Sequence, residues 1–293
     1  MMKTALSILK SVRYRMNLDP PTTLLSLTDP DKLQQLYALY AVLEELRQKR
    51  IWPQQKRKYS FSTANGVASY QLPPDFYSLL PGTQWNQDEN SMLIGPVSDA
   101  EFTIYTQGNA ASTINYTGRI FGFDENPSSD GGQFEITPTP TGAVNLYFEY
   151  VSRNLLIPKH WTSGATIAAG AYVNANGQIY SSAGGGTAGS TAPTGTGTGI
   201  SDGTISDWAS YSSPYETVLA DTDLVIFDAD LVALGVRAKV MEDQGSPDWQ
   251  SAAAEYQSKI DAAATRYYGI RTGHFSRRYS RHRYAVPGRG WSI

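Results

Sequence analysis

The chain has 293 residues, and because 41 % of them are hydrophobic it can bury the core of one large domain or of two smaller ones. It contains no cysteine, which excludes disulfides, thiolate metal sites and cysteine nucleophiles. The formal net charge of −3 conceals an asymmetry, since the last 28 residues hold seven arginines and no acid while the 265 residues before them carry −10.

Two helices are predicted in the first 50 residues. The first covers residues 5–16, where apolar side chains recur at spacings of three and four: Leu6, Leu9, Val12 and Met16. Basic residues interrupt that run, so we interpret it as an amphipathic helix and not as a signal peptide. Thr28-Asp29-Pro30-Asp31 then supplies a cap, a proline and an acid, which predict a helix over residues 30–50. Its predicted buried stripe consists of Leu33, Leu36, Tyr37, Tyr40, Leu43 and Leu46.

From residue 56 to residue 151 the chain consists of short runs rich in Tyr, Phe, Val, Ile and Thr, separated by Gly, Pro and Asn-Gly. This texture is typical of antiparallel strands. The candidate strands are residues 57–62, 67–71, 102–106, 117–123, 133–137 and 144–151. Together they predict a small β-sheet or sandwich.

Residues 159–212 are dominated by Gly, Ser, Thr and Ala and contain few charged residues. Composition alone would indicate a linker. However, aromatic and β-branched residues punctuate the segment at 172–173, 178–180 and 207–208, as in short strands. We therefore predict a very small β-module here.

Helical periodicity returns towards the C-terminus. Residues 228–243 predict a helix with Leu231, Leu234, Ala238 and Met241 on one face. A second helix is predicted to begin at Ser246-Pro247-Asp248, with the proline in the first helical position. Its apolar residues alternate spacings of four and three, which predicts lengthwise packing against another helix: Trp249, Ala253, Tyr256, Ile260, Ala263 and Tyr267.

The segment from residue 51 to residue 76 resembles the head-to-tail adaptor proteins of tailed bacteriophages. In that family a helical hairpin ends near a tryptophan, here Trp52, and a strand, a turn and a Tyr-x-Leu-Pro-x-Asp-Phe motif follow. The corresponding residues are Tyr59–Thr63, Ala64-Asn65-Gly66 and Tyr70-Gln71-Leu72-Pro73-Pro74-Asp75-Phe76. The strand Leu146–Arg153 and the turn Asp221-Thr222-Asp223 also resemble the family, so that the likeness extends, apart from residues 159–212, over residues 1–268.

The resemblance implies a virion structural protein of the head–tail junction, synthesised in the host cytoplasm. It implies a connector that forms a cyclic ring, commonly a dodecamer, below the portal. The implied partners are the portal protein, a tail nozzle or tail hub protein, and further copies of the chain. Such a ring would help to retain and channel the packaged DNA, with transient DNA contact. No membrane partner is expected, because no stretch approaches the roughly 20 apolar residues that cross a bilayer.

Residues 159–212 also resemble small carbohydrate-binding-like modules that decorate chitinases and phage tail proteins. The order of the motifs carries this likeness: Ala171-Tyr172-Val173, Gly177-Gln178-Ile179-Tyr180, Gly186-Thr187-Ala188-Gly189, Ala192-Pro193-Thr194, Asp202-Gly203-Thr204 and Trp208. Five aromatic residues have the chemistry to face a glycan, namely Trp161, Tyr172, Tyr180, Trp208 and Tyr211. So small a module also needs them for its core, so both roles stay open. The glycan-facing role would make the chain a host-surface glycan-binding tail component.

Residues 269–293 form a basic tail without an apolar period, which predicts an extended segment that becomes ordered on a partner. One interpretation is docking into the portal, because guanidinium groups pair with carboxylates and aromatic rings anchor interfaces. The residues assigned to docking are Arg266, Arg271, Phe275, Arg277, Arg278, Tyr279, Arg281, Arg283, Tyr284, Arg289 and Trp291. The other interpretation is contact with DNA phosphates and bases. The resemblance favours docking, since it implies acidic portal rings whose clefts receive adaptor C-termini.

No residue pattern indicates catalysis, a metal or a cofactor. The histidines His160, His274 and His282 lack acids at metal-ligand spacing, and the glycine-rich runs 184–189 and 195–199 lack the ending of a phosphate loop. Three carboxylate pairs fit solvated turns better than the two acids of a glycosidase: Asp88 with Glu89, Asp124 with Glu125, and Asp228 with Asp230. We therefore predict a protein that is not an enzyme.

The expected fold class is α+β. The N-terminal helical hairpin and the C-terminal helix pair form a helical bundle, an antiparallel β-domain projects from it, and a small β-module is inserted. The predicted boundaries are residues 1–158 and 213–268 for the adaptor body, 159–212 for the inserted module and 269–293 for the basic tail.

Overall fold

The structure, a computed structural model, describes residues 2–107, 115–122 and 132–268. These ranges contain five α-helices: α1 (Ala5–Arg15), α2 (Pro30–Lys49), α3 (Asp99–Gln107), α4 (Ala229–Asp243) and α5 (Trp249–Tyr268). Helices α1, α2 and α5 all pack on α4, and α1, α2 and α4 share one hydrophobic cluster with buried residues of α5. No helix in the described ranges has the length and hydropathy needed to span a bilayer.

Helix α4 lies at the centre of the helical core. Nine of its fifteen residues are buried, so it is apolar on nearly every side, as a helix surrounded by other elements must be. Asp228 caps the helix, because its carboxylate accepts hydrogen bonds from the backbone N–H groups of Asp230 and Leu231 at 3.0 and 3.2 Å.

Helix α2 occupies its predicted position, and its buried face includes Leu36, Leu43 and Leu46 of the predicted stripe but not Tyr37. Tyr37 is 67 % exposed, whereas Leu39 and Val42, which the prediction omitted, are fully buried. The reason is the approach of α4, which comes close to Val42 where Gly235 has no side chain. Aliphatic residues of α2 therefore fill this contact, and the aromatic ring of Tyr37 remains outside.

Helix α5 begins at Trp249, two residues later than predicted, because Pro247 and Asp248 form a turn in which the N–H of Trp249 donates to the carbonyl of Ser246. Its buried residues follow a constant spacing of four: Ala252, Tyr256, Ile260 and Ala264. That spacing is a common packing ridge of helices. The predicted alternating seam is therefore wrong at Tyr267, which is 37 % exposed.

The predicted strand at residues 102–106 is wrong, since these residues lie in helix α3. The helix is set by a capping box at its start. The N–H and hydroxyl of Ser98 both donate to the carboxylate of Glu101, and the N–H of Glu101 donates back to the hydroxyl oxygen. The pattern Ser-x-x-Glu was present in the sequence and outweighs the β-propensity of the residues after it.

Fifteen β-strands lie in the described ranges: β1 (Lys56–Ser62), β2 (Ser69–Gln71), β3 (Phe76–Leu79), β4 (Trp85–Asn86), β5 (Ser91–Met92), β6 (Thr117–Phe121), β7 (Gln133–Thr137), β8 (Asn145–Ser152), β9 (Leu156–Ile157), β10 (Thr166–Ile167), β11 (Tyr172–Ala175), β12 (Gln178–Ser182), β13 (Gly186–Thr187), β14 (Trp208–Ser210) and β15 (Leu224–Val225). Five predicted strands are thus confirmed, as β1, β2, β6, β7 and β8. The fold class is α+β, as expected.

Two antiparallel sheets form the β-domain. One has the order β1-β8-β4-β5, with β3 also paired to β8, and the other has the order β2-β7-β6. Residues of both sheets meet in one aromatic-rich cluster, in which the Phe134 and Phe148 ring centroids lie 5.7 Å apart. The sheets therefore pack face to face and bury the alternate residues of their strands.

Residues 159–212 contain a three-stranded sheet, β11-β12-β14, and the two-stranded pair β10-β13. They bury a cluster of their own around Tyr180 and Trp208. Ile179 of the same segment, however, belongs to the helical cluster. We propose that the segment is an inserted module fixed to the body by that side chain; the remaining domain boundaries stay predictions, and the basic tail at 269–293 lies outside the described residues.

The close approach of α2, α4 and α5 at Gly235 gives a test of the helical core. A Cβ atom at Gly235 would lie 2.8 Å from Val42 Cγ1 and 2.8 Å from Tyr256 Cε2. We expect Gly235→Ala to lower the free energy of unfolding by about 1–2 kcal/mol, because overpacking outweighs the gain in helix propensity. Urea denaturation measures this. The matched control is Gly142→Ala, whose new methyl group meets no atom within 4 Å; equal effects of the two substitutions would contradict the packing.

Candidate partner-binding surfaces

The turn that ends the Tyr70–Phe76 motif is tied to the end of β8 by one carboxylate. Asp75 accepts hydrogen bonds from the Tyr150 hydroxyl at 2.7 Å, the Ser152 hydroxyl at 2.5 Å and Asn154 Nδ2 at 3.3 Å. Burial, together with this carboxylate, raises the pKa of the Tyr150 hydroxyl, which therefore remains a proton donor. The motif thus fixes a turn against the sheet.

A second carboxylate organises the turn before α4. Asp223 is fully buried and accepts hydrogen bonds from the N–H groups of Leu219 and Ala220, both at 2.8 Å, and from the Tyr215 hydroxyl at 3.0 Å. Its backbone carbonyl accepts from the N–H of Ala5, the first residue of α1. Burial raises the pKa of Asp223 even though the three donors act in the opposite direction.

Asn154 joins these two carboxylate sites. Its Nδ2 donates to Asp75, and its Oδ1 accepts from the backbone N–H of Tyr215 at 2.7 Å, while the Tyr215 hydroxyl donates to Asp223. Asn154 is 8 % exposed and Tyr215 is 1 % exposed. A buried chain of hydrogen bonds therefore runs from the β-domain motif to the start of α1. The sequence analysis missed Asn154 and Tyr215, since a single polar or aromatic residue carries no periodic signal.

The five aromatic residues assigned a possible glycan-facing role are divided by the structure. Tyr180 and Trp208 are buried in the core of the 159–212 segment, which is the other role left open for them. Tyr172 and Tyr211 are half-buried and pack edge to face with each other and with Tyr215, at centroid distances of 5.1 to 5.8 Å. Trp161 is half-buried, and its indole N–H donates to Asp202 at 3.3 Å.

A cleft of about 490 Å³ separates the β-domain from the 159–212 segment. We call it the β1 cleft. Its walls are formed by residues 57–59 of β1, by the motif turn at residues 71–75, and by the tight turn at residues 176–178 between β11 and β12. Asn176 and Gly177 in that turn have φ angles of +52° and +81°, the geometry that a two-residue hairpin turn requires.

The residues assigned to portal docking lie almost entirely outside the described residues. Arg266 is described, and it is exposed near the end of α5. The others fall in residues 269–293: Arg271, Phe275, Arg277, Arg278, Tyr279, Arg281, Arg283, Tyr284, Arg289 and Trp291. Their assignment to docking therefore stays a prediction.

The described acids with possible catalytic roles have structural partners. Asp88 accepts hydrogen bonds from the backbone N–H and the Nδ2 of Asn145, Glu89 accepts from Asn86, and Asp228 caps α4. Across residues 2–107, 115–122 and 132–268 there is no group of three or more His, Asp or Glu residues arranged to hold a metal ion. Asp124, Glu125, His274 and His282 lie outside those residues.

A protein-family model described as "SU10 adaptor protein" matches residues 3–175 of the chain. The match includes α1, α2, the whole β-domain and the segment up to the end of β11, so the motif at residues 70–76 and Asn154 fall within it. The Asp221–Asp223 turn lies beyond it. A comparison with curated proteins finds no match.

The raised pKa of Asp223 predicts the sign of a pH effect on stability. The folded chain keeps this proton to higher pH than the unfolded chain, so the stability that it contributes is present at low pH and is lost as the pH rises through the raised pKa. Asp223→Asn stays neutral and still accepts from two N–H groups. The urea midpoints of the variant and of the original chain are compared from about pH 4 to about pH 8. The stability of the variant relative to the original chain should therefore increase as the pH rises.

The companion variant is Tyr215→Phe, which removes the hydroxyl donor that favours the carboxylate form of Asp223. The pKa of Asp223 should then rise further, and the loss of stability with increasing pH should extend to higher pH. A constant difference between the original chain and Asp223→Asn at all pH values would refute the raised pKa.

Proposed function

The chain belongs to the SU10 adaptor protein family, and from this membership we propose that its copies form a closed ring that joins the portal to the tail of a bacteriophage virion. Membership makes it a structural adaptor protein of the phage and implies association with portal and tail proteins at the head–tail junction. The dodecameric ring, the contact with a tail nozzle or hub protein and the retention of DNA are the finer parts of the proposal.

The observation that carries the proposal is the extent of the family match together with the rigidity of what it covers. Residues 3–175 contain helices α1, α2 and α3 and both sheets of the β-domain. The hydrogen bonds of Asp75 and Asn154 connect the β-domain to the residues that follow. A connector that transmits force between two other assemblies needs parts that do not move against each other. Fully satisfied buried polar networks provide such rigidity.

We propose that residues 269–293 dock into the portal. Six arginines in this tail, with Phe275, Tyr279, Tyr284 and Trp291, provide bidentate donors for carboxylates and rings that fill pockets. The body before Arg266 carries a formal charge of −10, so the tail has the opposite sign to the rest of its own subunit. Transient contact of the tail with packaged DNA is the competing interpretation.

Removing residues 269–293 tests the docking proposal. We expect the chain that ends at Tyr268 to bind purified portal rings at least about tenfold more weakly, because it loses the arginine and aromatic contacts. Surface-immobilised portal and surface plasmon resonance measure the affinity. Equal affinity of the truncated and complete chains for the portal would show that the tail is not the docking element.

A matched variant in which the six tail arginines are replaced by lysine separates docking from DNA contact. Lysine keeps the charge but loses the forked geometry, so portal binding should fall while binding to duplex DNA changes little and keeps its salt dependence. A loss of DNA binding with full retention of portal binding would reverse the two assignments.

We propose glycan binding by the 159–212 segment as a second candidate function, supported by the half-buried ring of Trp161. Tyr180 and Trp208 are buried in the core, and Tyr172 and Tyr211 pack on Tyr215, so we assign the stacking contact to Trp161. The test is a glycan array probed with the complete chain and with Trp161→Ala. A reproducible hit that disappears in the variant supports this function, whereas a hit that is unchanged in the variant, or no hit, rules out Trp161 as the contact.

A further inference from the structure

The β1 cleft has the position and the lining of a binding site. It lies between two units of the fold, which is a common position for binding sites, and its volume is within the range of ligand clefts. Its walls combine the rings of Tyr59 and Tyr211 with the amide side chains of Gln71, Asn176 and Gln178. Such a lining offers donors and acceptors together with flat apolar surface.

The charge of the cleft is set by β1. No Asp or Glu occurs between Leu46 and Asp75 in the sequence, whereas six Lys or Arg residues do. Arg57 and Lys58 line the cleft, and neither forms an ion pair with a carboxylate of the described chain. Asp75 also lines it, but Tyr150, Ser152 and Asn154 already donate hydrogen bonds to this carboxylate. The cleft is therefore suited to an anionic partner.

The edge of β1 also faces outward. Within the described residues β1 pairs with β8 alone and stands at the end of its sheet. An antiparallel strand directs half of its backbone N–H and C=O groups away from its one partner, so an edge strand can receive another strand. With seven residues, β1 is long enough to pair with a typical strand.

We propose that the β1 cleft receives an extended acidic segment of another virion protein, which pairs with the edge of β1 and places its carboxylates near Arg57 and Lys58. Strand addition supplies affinity through backbone hydrogen bonds and specificity through alternate side chains. The basic tail of this chain is an unsuitable occupant because its charge has the same sign as the cleft. Duplex DNA is unsuitable as well, since proteins read it with elements that project into its grooves, and this cleft is concave.

The test uses a displayed library of random peptides of about eight residues, the length of an ordinary strand, sorted for binding to the purified complete chain. We expect the selected peptides to be enriched in Asp and Glu over the unsorted library. A synthetic copy of the best peptide should slow hydrogen exchange at amides of β1, because strand addition protects them. Selection of peptides without acid enrichment, of no peptide at all, or of peptides that leave β1 unprotected would overturn the proposal.

Variants connect the binding to the cleft. Arg57→Gln with Lys58→Gln should weaken the selected peptide about tenfold or more. The matched control, Arg15→Gln with Lys259→Gln, removes two exposed charges elsewhere and should leave the affinity unchanged. Arg57 also donates to the carbonyls of Gln54 and Lys56, so its replacement could disturb the fold. The single variant Lys58→Glu keeps these hydrogen bonds and should also weaken peptide binding. Equal losses in the cleft and control variants would refute the site.

A labelled thymidine oligonucleotide, measured alongside the peptide, separates the two kinds of anion. Tighter binding of the oligonucleotide at Arg57 and Lys58 would make the cleft a nucleic-acid contact and would overturn the proposal. The inference rests on the proposed role as a virion connector. Measuring portal binding with the same preparation distinguishes a failure of the cleft proposal from a failure of the docking proposal. Portal binding without peptide binding rejects only the proposal for the β1 cleft. Peptide binding without portal binding rejects only the assignment of the tail to portal docking.

Discussion

The hydrogen-bonded chain from Asp75 through Asn154 and Tyr215 to Asp223 is the constraint on which the rest of the structure depends. Asp223 is fully buried and Asp75 is half-buried, and a carboxylate withdrawn from water is costly unless donors surround it. Asp75 takes three donors from residues 150–154, and Asp223 takes three donors from residues 215–220. The motif turn, the end of β8, the turn before α4 and the start of α1 therefore have to adopt one arrangement together, because breaking any link leaves a buried polar group unpaired.

This chain of hydrogen bonds also shows where sequence reasoning succeeds and where it ends. Helices α1, α2 and α4 and five of the strands were predictable, because burial on one face repeats with the period of each element. Asp75 was recognisable only as a member of a motif, and nothing local indicated that Asn154 would bridge it to Tyr215. Contacts between residues 61 positions apart leave no periodic trace in one sequence. Helix α3 is different, since its capping box was readable in the sequence but the prediction gave more weight to the β-propensity of the residues after it.

The 159–212 segment illustrates a second limit. Its spaced aromatic and β-branched residues correctly indicated short strands, but this pattern does not show which aromatic rings are buried in the core. The structure uses Tyr180 and Trp208 for the segment's own core and places Tyr172 and Tyr211 against Tyr215 of the body. Ile179 extends the helical core into the segment. Because the 159–212 segment shares a core residue and packed rings with the body, the two cannot reorient freely, and a surface between them is pre-formed. Pre-formed surfaces lose less entropy on binding.

Charge is distributed so that long-range attraction alone cannot select a partner. The body is acidic and the tail is basic, so the tail has the charge to be attracted to any acidic protein surface, including the body of another copy of the chain. Screening limits this attraction to about 10 Å at ordinary salt, and it has no directional preference. Within the body, Arg47, Lys49 and Arg50 are neutralised by local carboxylates, whereas Arg57 and Lys58 are not. If the tail docks into the portal and β1 receives a strand, as proposed above, the choice of partner depends on short-range geometry. That geometry consists of forked guanidinium contacts and fitted rings at the tail and of strand register at β1.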